Sequence, residues 1–431
     1  MKDKIINLCG NSSDILTRSI SINNQNIDII FCETLTNSSI INQNIIKPLL
    51  LNDKYIITSS NFKRINSLKE ASDLIFMGFT TIIINNKDIF CIETKKELDR
   101  SINESTTEGS ISGPKDSFIE NFNTNIGLIR KRIRNSDLRI DTLTLGHISN
   151  TKIGICYINS IVDKKLLNKT KAKLKRIEND IVNDGLYIKE QLSKKSLFPE
   201  VNQTERPDLA TYSLLEGKLC IIVDNSPTVL IIPTFFIDFF HTADDYYQKN
   251  TNVTFTRILR FFSFIIAIFL PGYYISITNN SSMFIEILLL TISFEILRES
   301  EIRIPNKFGG SASILGGLIL GDAAVEAGVV SPIMIIIVAL SMISSFVFSY
   351  NSIVHLIRYY RFFILVLCTI FGLYGLFIGL FILITNISSV TSFGYPYTYP
   401  FDPLIMEDLK DSIIKLNTKK RNPLLTKNKY R

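Results

Sequence analysis

Two carboxylates, Asp322 and Glu326, lie in an otherwise apolar stretch of the chain. A charged side chain inside hydrocarbon costs on the order of 3 kcal/mol, so an acid in such a stretch needs a function or a partner. The two residues are four apart, and in a helix both would project from one face. Repeated around the axis of an oligomer, such acids would attract cations and repel anions. The alternative is that both lie at a membrane boundary or pair with arginines such as Arg298 or Arg361.

Glycine is the second unusual feature of this stretch. Residues 308–348 are too long for one membrane span, and they are interrupted by Gly309, Gly310, Gly316, Gly317, Gly321, Gly328 and Pro332. Glycines let helices approach closely, or let the backbone leave the helical path where a cavity is lined. Glu286 is a further acid near the middle of an apolar segment. The candidate residues for an ion pathway or its gate are therefore Asp322, Glu326, Glu286, Gly316, Gly317, Gly321 and Pro332.

A separate group of charges favours a structural role. Glu295, Arg298 and Glu299 are spaced i, i+3 and i+4, which in a helix brings them onto one face. With Arg303, they are predicted to form an ion-pair network at a helix end.

The distribution of charge along the chain indicates which parts are soluble and which could lie in a membrane. The chain has 431 residues and a mean hydropathy of +0.22 although 20% of it is charged. Residues 1–249 hold 32 basic residues (Lys and Arg) and 30 acidic residues (Asp and Glu). Residues 250–401 hold only 7 basic and 6 acidic residues, and residues 402–431 hold 8 basic and 4 acidic residues. This division makes a wholly soluble enzyme, a disordered chain or a secreted disulfide scaffold a poor fit, and it favours a membrane protein with a large soluble domain.

Four stretches could lie in a bilayer, namely residues 261–278, 283–297, 308–348 and 362–385. The last has no charge in 24 residues and is predicted to be a single span. Positive-inside reasoning favours four spans, with 308–328 broken or re-entrant, 330–348 a full span and a cytosolic tail. That path places Arg358 and Arg361 outside. A path with two crossings in 308–348 keeps both arginines inside but exports the tail.

The polar half shows an alternating pattern of strands and helices that occurs twice. Gly78 and Gly217 each begin a β run, a polar turn pair and a second β run, which predicts two α/β subdomains that each close with a hairpin. Because the first residues contain no apolar stretch of signal-peptide length, we expect this half to be cytosolic. The predicted division is residues 1–103 as the first subdomain, 104–112 as a linker, 113–249 as the second subdomain, 250–395 as a polytopic α-helical membrane domain and 396–431 as a basic cytosolic tail.

A helix after the linker carries Arg130, Lys131, Arg132 and Arg134. Without an aromatic stacking platform this cluster favours a solvated face, a subunit interface or a contact with anionic headgroups over nucleic acid. The six cysteines have no paired spacing and are expected in the core. No nucleophile, phosphate or metal-ligand motif occurs, so we expect no catalysis, cofactor or metal.

Several long motifs appear together and in order. They are GPKDSFIENFNTNIGLIRKRIR (113–134), FPEVNQTERPDLATYSLLEGKLCIIVDNSPTVLIIPTFF (198–236), FEILRESEIRIP (294–305), GGSASILGGLILGDAAVEAGVVSP (309–332) and PYTYPFDPL with DLKDSIIKL (396–416). In these motifs the sequence resembles the A subunit of the GerA-type spore germinant receptors. Polar residues of the first two motifs are interface candidates, namely Asn125, Arg130, Arg132, Glu205, Arg206 and Asp208.

The resemblance implies a protein of the spore inner membrane that works with a transporter-like B subunit and a lipoprotein C subunit. It also implies an oligomer, a pentamer in this family, that forms a nutrient-gated channel releasing monovalent cations to start germination. A SpoVAF-like paralogue that amplifies ion release, or a scaffold that does not conduct, are the alternatives.

Overall fold

The structure is a computed structural model that describes residues 1–22, 25–51, 62–96, 108, 113–194, 196–278, 283–303, 321–405 and 408–415. Gly316 and Gly317 lie outside these residues.

The first part of the chain forms a five-stranded antiparallel sheet. Its strands are β1 (Ile15–Ile22), β2 (Gln25–Cys32), β3 (Phe62–Ile65), β4 (Phe79–Ile84) and β5 (Asp88–Glu93), in the order β1-β2-β4-β5-β3. The accompanying helices are α1 (Lys2–Leu8), α2 (Ser38–Ile41), α3 (Lys47–Leu51) and α4 (Leu68–Ile75). α4 begins at Ser67, whose side chain accepts a hydrogen bond from the backbone N–H of Glu70, a common N-cap.

The second sheet repeats this order. Its strands are β6 (Leu138–Leu145), β7 (Thr151–Ile158), β8 (Asn202–Thr204), β9 (Leu219–Val223) and β10 (Val229–Ile232), arranged β6-β7-β9-β10-β8 and all antiparallel. Its helices are α5 (Phe122–Arg132), α6 (Lys164–Lys175), α7 (Gly185–Leu192) and α8 (Pro207–Leu215). In the two predicted hairpins, β4–β5 and β9–β10, Asn85, Asn86 and Asn225 have positive φ, a conformation that Asn tolerates in turns.

Both faces of the second sheet are covered, because its central strands are apolar on each side. Ile155 and Ile221 pack in one cluster with Leu167 of α6 and Ile188 of α7. Cys156 packs on the other face with residues of α5 and α8. All six cysteines are free and buried, in agreement with a core role.

A bundle of helices follows the second sheet. It contains α9 (Asn250–Thr278), α10 (Met283–Arg303), α11 (Pro332–Ser345), α12 (Asn351–Phe371) and α13 (Leu373–Ser389). By length and composition α9 and α12 could each cross a membrane, and α11 and α13 are shorter apolar helices. Residues 321–326 form a helical turn before α11. A bend at Gly328, which has φ +65°, separates this turn from α11.

Contacts along α9 fix the direction of its neighbours. Val330 and Met334, at the start of α11, pack near Ile275 at the far end of α9. Phe348, after α11, contacts Phe264 closer to the sheets, with ring centroids 6.2 Å apart. α11 therefore runs back toward the second sheet.

The uncharged stretch 362–385 is not one helix, so the prediction of a single span there is wrong. The chain reverses at Gly372, which has φ +57° and ψ −136°, a conformation that favours glycine. α13 then returns antiparallel to α12. A Cβ at Gly375 would lie 2.2 Å from the carbonyl oxygen of Leu367, so only glycine permits this approach. Farther along the pair, Asn386 Nδ2 donates to the Tyr360 hydroxyl at 2.9 Å.

This hairpin places the start of α12 and the end of α13 on the same side of the bundle. Near the start of α12, Ser352 Oγ accepts a hydrogen bond from Lys189 of α7. Two residues after α13 ends, Thr391 Oγ1 accepts one from Lys194. The hairpin brings the segment after α13 back to the second sheet, where a short β-hairpin of β11 (Thr391–Ser392) and β12 (Tyr395–Pro396) packs.

Candidate functional site

Asp322 and Glu326 are exposed on the helical turn 321–326. Neither carboxylate forms an ion pair with any part of the chain that the structure describes, so pairing with Arg298 or Arg361 does not occur within one chain. Gly321 is also open, since nothing lies within 4 Å of the position of its missing Cβ. In a single chain the acidic pair therefore faces outward rather than into the bundle.

The other pathway candidates lie at helix starts. Pro332 is the first residue of α11 and is exposed, and Ser331 caps that helix by accepting a hydrogen bond from the Met334 N–H at 3.3 Å. Proline suits this position because its missing N–H would have no helical partner there. Glu286 is half-buried in the first turn of α10.

Glu295 connects two helices. Its carboxylate lies 2.7 Å from Arg358 Nη2 and 3.5 Å from Arg361 Nη1, both on α12. The guanidinium of Arg298 lies over the ring of Phe346, 5.0 Å from its centroid. Glu299 is exposed, and Arg303 is the last residue of α10. The predicted ion pairs thus include a link from α10 to α12 that the spacing within α10 does not reveal.

Arg361 also fills a gap in the hydrogen bonding of α9. Pro271 has no N–H, so the carbonyl of Ala267 has no intrahelical donor four residues later. Arg361 Nε donates to that oxygen at 2.7 Å and Ser341 Oγ donates to it at 2.9 Å. Arg361 is only 2% exposed, so a buried cation joins α9, α11 and α12 at the proline.

The base of α9 is fixed by a buried carboxylate. Asp245, which precedes the helix, lies 3.0 Å from Arg257 Nε and 2.9 Å from Arg260 Nη1. Burial opposes ionisation of Asp245, but hydrogen bonds and charge from Arg260 and Arg257 outweigh it and lower the pKa of the carboxyl. Since Asp245 and Arg257 are almost wholly buried, the junction between sheet and helix is held by a paired charge.

Residues 408–415 pack against the same base. Arg257 Nη1 donates to Asp411 Oδ1 at 3.0 Å and to the carbonyl of Ser412 at 3.1 Å. The Ser412 carbonyl also accepts from His241 Nε2 at 2.8 Å. Burial and then the charge of Arg257 hold the pKa of His241 well below its ordinary value, so this imidazole is neutral.

A cavity of about 330 Å³ lies beside this junction, between the second sheet and the bundle. Its lining includes Glu108, Arg206, Arg260 and Tyr350. Burial raises the pKa of Glu108 to about 7. The carboxylate accepts a hydrogen bond of 2.6 Å from Thr204 Oγ1, which lowers the pKa but does not outweigh burial.

Arg206 and Asp208 form a buried pair in this wall. Arg206 Nη2 lies 2.7 Å from Asp208 Oδ2, which also accepts a hydrogen bond from the hydroxyl of Tyr247 at 3.0 Å. Glu205 is half-buried, and its carbonyl accepts from the N–H of Phe118 at 2.7 Å. These contacts lie within the second subdomain, and Arg206 Nη1 also donates to the carbonyl of Glu108, before it in the chain, at 3.4 Å.

Arg130 is wholly buried, so a solvated face is wrong for this residue. Its Nε and Nη2 lie 2.9 and 3.0 Å from the two oxygens of Asp14, which comes from the first subdomain. Nη2 also donates to Ser12 Oγ at 3.0 Å, and the guanidinium lies over the ring of Phe76, 4.7 Å from its centroid. Burial opposes the charge on Asp14, but the charge and hydrogen bonds of Arg130 lower the pKa of the carboxyl. Arg130 thus joins the two subdomains.

The remaining interface candidates lie on the same helix. Asn125 is buried, and its amide donates to the carbonyl of Ile119 while its oxygen accepts from the Ile119 N–H at 2.9 Å. Arg132 pairs with Asp116 at 2.6 Å, partly exposed. Across the described part of the chain, no cluster of three or more His, Cys, Asp or Glu side chains could hold a metal ion.

Comparison with known proteins gives a consistent result. The family model of the Bacillus/Clostridium GerA spore germination protein matches residues 3–284 and 279–424. Spore germination protein KA of Bacillus subtilis (strain 168) is 32% identical and covers 94% of this chain and 82% of its own. Spore germination protein GerQA of Bacillus cereus is 32% identical, with coverages of 99% and 92%. The uncharacterized membrane protein YfkQ of Bacillus subtilis (strain 168) is 31% identical, with coverages of 94% and 86%.

The chain is also similar to the crystal structure of the N-terminal domain of the A subunit of the Bacillus megaterium spore germinant receptor GerK3. The similarity has a TM-score of 0.41 at 23% identity, and it covers 55% of this chain and 94% of that one.

Proposed function

The chain belongs to the GerA family of spore germination proteins, and from that membership we propose that it is the membrane-embedded A subunit of a nutrient-responsive germinant receptor. It would form an oligomer, a pentamer on the family's pattern, that opens a cation path when a nutrient binds the receptor. Its partners would be a transporter-like B subunit and a lipoprotein C subunit in the spore inner membrane. The proposal assigns it no catalytic step.

Insertion in a membrane is supported by the surface of the bundle. A helix of 21 residues such as α12 is about 31 Å long, close to the thickness of the hydrocarbon core. Side chains around the α12–α13 turn are apolar and exposed, with Phe371 51% and Tyr374 79% exposed. Large apolar side chains are rarely exposed together in water. We propose that the hairpin lies in the bilayer and that the sheets lie on the cytosolic side, next to Arg257 and Arg260.

The observation that carries the channel proposal is the open position of Asp322 and Glu326. Both carboxylates are exposed, and they lie next to a bundle in which the buried Arg361 is paired with the half-buried Glu295. A carboxylate facing hydrocarbon would be costly, so these two need water, a cation or a second copy of the chain. A ring of copies that places them on a central path would meet this need and would select cations.

Release of K⁺ and Na⁺ from spores tests this proposal. Spores that lack their own GerA-family proteins would carry this chain with its partner subunits and receive a complete nutrient medium. We expect cation release with the unchanged chain, and a rate reduced by roughly tenfold or more in Asp322→Asn and Glu326→Gln, since each removes a charge along the path. Asp73→Asn, an exposed acid on α4, is the matched control and leaves release unchanged.

The alternatives give other results. A non-conducting scaffold would assemble with its partners, and both variants would release cations at the rate of the unchanged chain. A SpoVAF-like paralogue would accelerate release only when another receptor is present in the spore.

A further inference from the structure

Four lysines surround the place where α12 and α13 meet the second sheet. Lys189 Nζ donates to Ser352 Oγ, on the second residue of α12, at 3.1 Å. Lys194 Nζ donates at 2.8 Å to Thr391 Oγ1, two residues after α13 ends. The start of α12 and the segment just after α13 therefore each contact an ammonium group.

The other two lysines come from α6 and contact the turn of the β11–β12 hairpin. Lys169 Nζ donates to the carbonyl of Phe393 at 3.0 Å. Lys173 Nζ lies over the Phe393 ring, 4.4 Å from its centroid, and donates to the carbonyl of Leu192 at 2.7 Å. We name Lys169, Lys173, Lys189 and Lys194 the lysine collar.

The collar has an excess of positive charge. Lys169 and Lys173 both contact Phe393, and Lys194 contacts Thr391 at the other end of the same hairpin strand pair. Burial lowers the pKa of Lys173 against the charge of Glu200, and the charges of Lys169 and Lys194 lower it further. The carboxylates that act on the collar are Glu200, which is buried, and Glu190, next to Lys189. The four lysines outnumber these two acids, so the collar carries more positive than negative charge.

The surface directly above the collar is apolar. On α13, Phe381 is 72% exposed and Ile384 is 54% exposed, and both lie between the tip of the hairpin and the collar. A ligand that fits both surfaces has an anionic head and a hydrocarbon tail. A free phosphate would match only the collar, and an acidic peptide would leave the apolar surface uncovered.

We propose that the lysine collar binds the headgroup phosphates of anionic phospholipids at the level where α12 and α13 enter the bilayer. This inference rests on the proposed membrane insertion. Lysines close to a membrane surface attract anionic lipid, about fivefold in affinity for each lysine. The collar would thereby set the depth of the hairpin and keep the second sheet against the membrane.

Thermal unfolding of the full chain in an uncharged detergent tests the inference. The chain is titrated with phosphatidylglycerol, with phosphatidylcholine of the same acyl chains, or with inorganic phosphate. We expect phosphatidylglycerol to raise Tm at concentrations where the other two do not. In the double variant Lys169→Gln/Lys194→Gln, the phosphatidylglycerol concentration that gives half of the effect should increase by roughly 25-fold, about fivefold for each lysine.

The matched control is Lys164→Gln/Lys175→Gln, which removes the same charge from exposed positions of α6. Lys164 contacts Asn159 and lies over the Tyr157 ring, and Lys175 is two residues after Lys173 and so on the opposite face of the helix. It should respond to phosphatidylglycerol as the unchanged chain does. If the double collar variant unfolds before titration, Lys194→Gln alone replaces it, because Lys194 is exposed on a loop.

Three results would overturn the inference, namely equal stabilisation by phosphatidylcholine, equal stabilisation by phosphate alone, or an equal loss in the α6 control. Failure of membrane insertion gives a different result, since the chain would then be recovered from cells in the soluble fraction without detergent. A chain that requires detergent but shows no preference for phosphatidylglycerol refutes only the collar.

Discussion

Arg361 Nε donates a hydrogen bond of 2.7 Å to the carbonyl oxygen of Ala267, on another helix of the bundle. That oxygen is available because Pro271 cannot donate to it. A guanidinium on α12 therefore replaces a backbone hydrogen bond of α9, and its charge is balanced by Glu295 on α10. The proline is tolerated in α9 because a neighbouring helix satisfies the carbonyl that it leaves free.

Arg361→Leu is expected to destabilise the bundle by about 3 kcal/mol, because Glu295 loses one of its two arginine partners and the Ala267 carbonyl keeps only Ser341 as a donor. The measurement is thermal unfolding of the detergent-solubilised chain. Arg358→Leu is the matched control on the same helix, and its cost should be about 1 kcal/mol because Arg358 is partly exposed. Equal losses in the two variants would contradict the special role of Arg361.

The reversal at Gly372 gives a second prediction. Gly375→Ala places a Cβ against the Leu367 carbonyl, so α12 and α13 must separate, and we expect a loss of at least about 2 kcal/mol. Gly321→Ala is the control, because its Cβ meets nothing within 4 Å. Tm should fall in the first variant and stay the same or rise slightly in the second. A continuous helix through residue 372 would make Gly375→Ala stabilising.

Local sequence predicts the hairpins of the two sheets but not the hairpin of the bundle. Asn85 and Asn86 are turn residues between two β runs, so the short-range pattern contains the whole signal. Hydropathy averages over about 20 residues, and a single Gly372 hardly changes the average. The spacing of Gly372, Gly375 and Gly379 was the available indication that a second helix packs closely there.

The pair Arg130 and Asp14 gives a third prediction. Arg130→Leu leaves the buried Asp14 carboxylate without its partner, and we expect a loss of about 3–5 kcal/mol in the free energy of unfolding. Arg132→Leu, two residues away, should cost about 1 kcal/mol or less because its pair with Asp116 is partly exposed. Adding Asp14→Asn to Arg130→Leu should recover part of the stability. Additive losses would contradict direct coupling between the two residues.

Sequence spacing could not have found this pair. Asp14 and Arg130 are 116 residues apart, and Arg130 lies in a basic run that on its own favours a surface. Arg361 likewise has its partners, the Ala267 carbonyl and Glu295, on other helices. Periodicity predicts which face of a helix is apolar, whereas the burial of one cation depends on how whole elements pack.

Glu108 gives a prediction about pH. Its pKa is raised from 4.5 to about 7 in the folded chain, so between these values the folded state binds more protons than the unfolded state. The contribution of Glu108 to stability is therefore fully present below pH 4.5 and is lost as the pH rises through 7. The resulting decrease in the free energy of unfolding between pH 4.5 and 7 is on the order of 1–2 kcal/mol after allowing for partial exposure. Glu108→Gln should abolish this decrease.

The difference in Tm between Glu108→Gln and the unchanged chain isolates this carboxyl. His241 acts in the opposite direction, because its lowered pKa makes the folded state less stable as the pH falls below 6.5. Its effect cancels in the difference, since both proteins contain it. The acids Asp14 and Asp245 have lowered pKa values and lose their contribution only as the pH falls below about 3.8. A difference that does not change between pH 4.5 and 7 would contradict the raised pKa.

The central claim is that Asp322 and Glu326 line a cation path shared by several copies of the chain. The most direct measurement is a structure of the detergent-purified receptor complex at a resolution that shows side chains. The account predicts a closed ring of this chain with both carboxylates facing a central path. A monomer, or a ring in which both carboxylates face away from its axis, would contradict it.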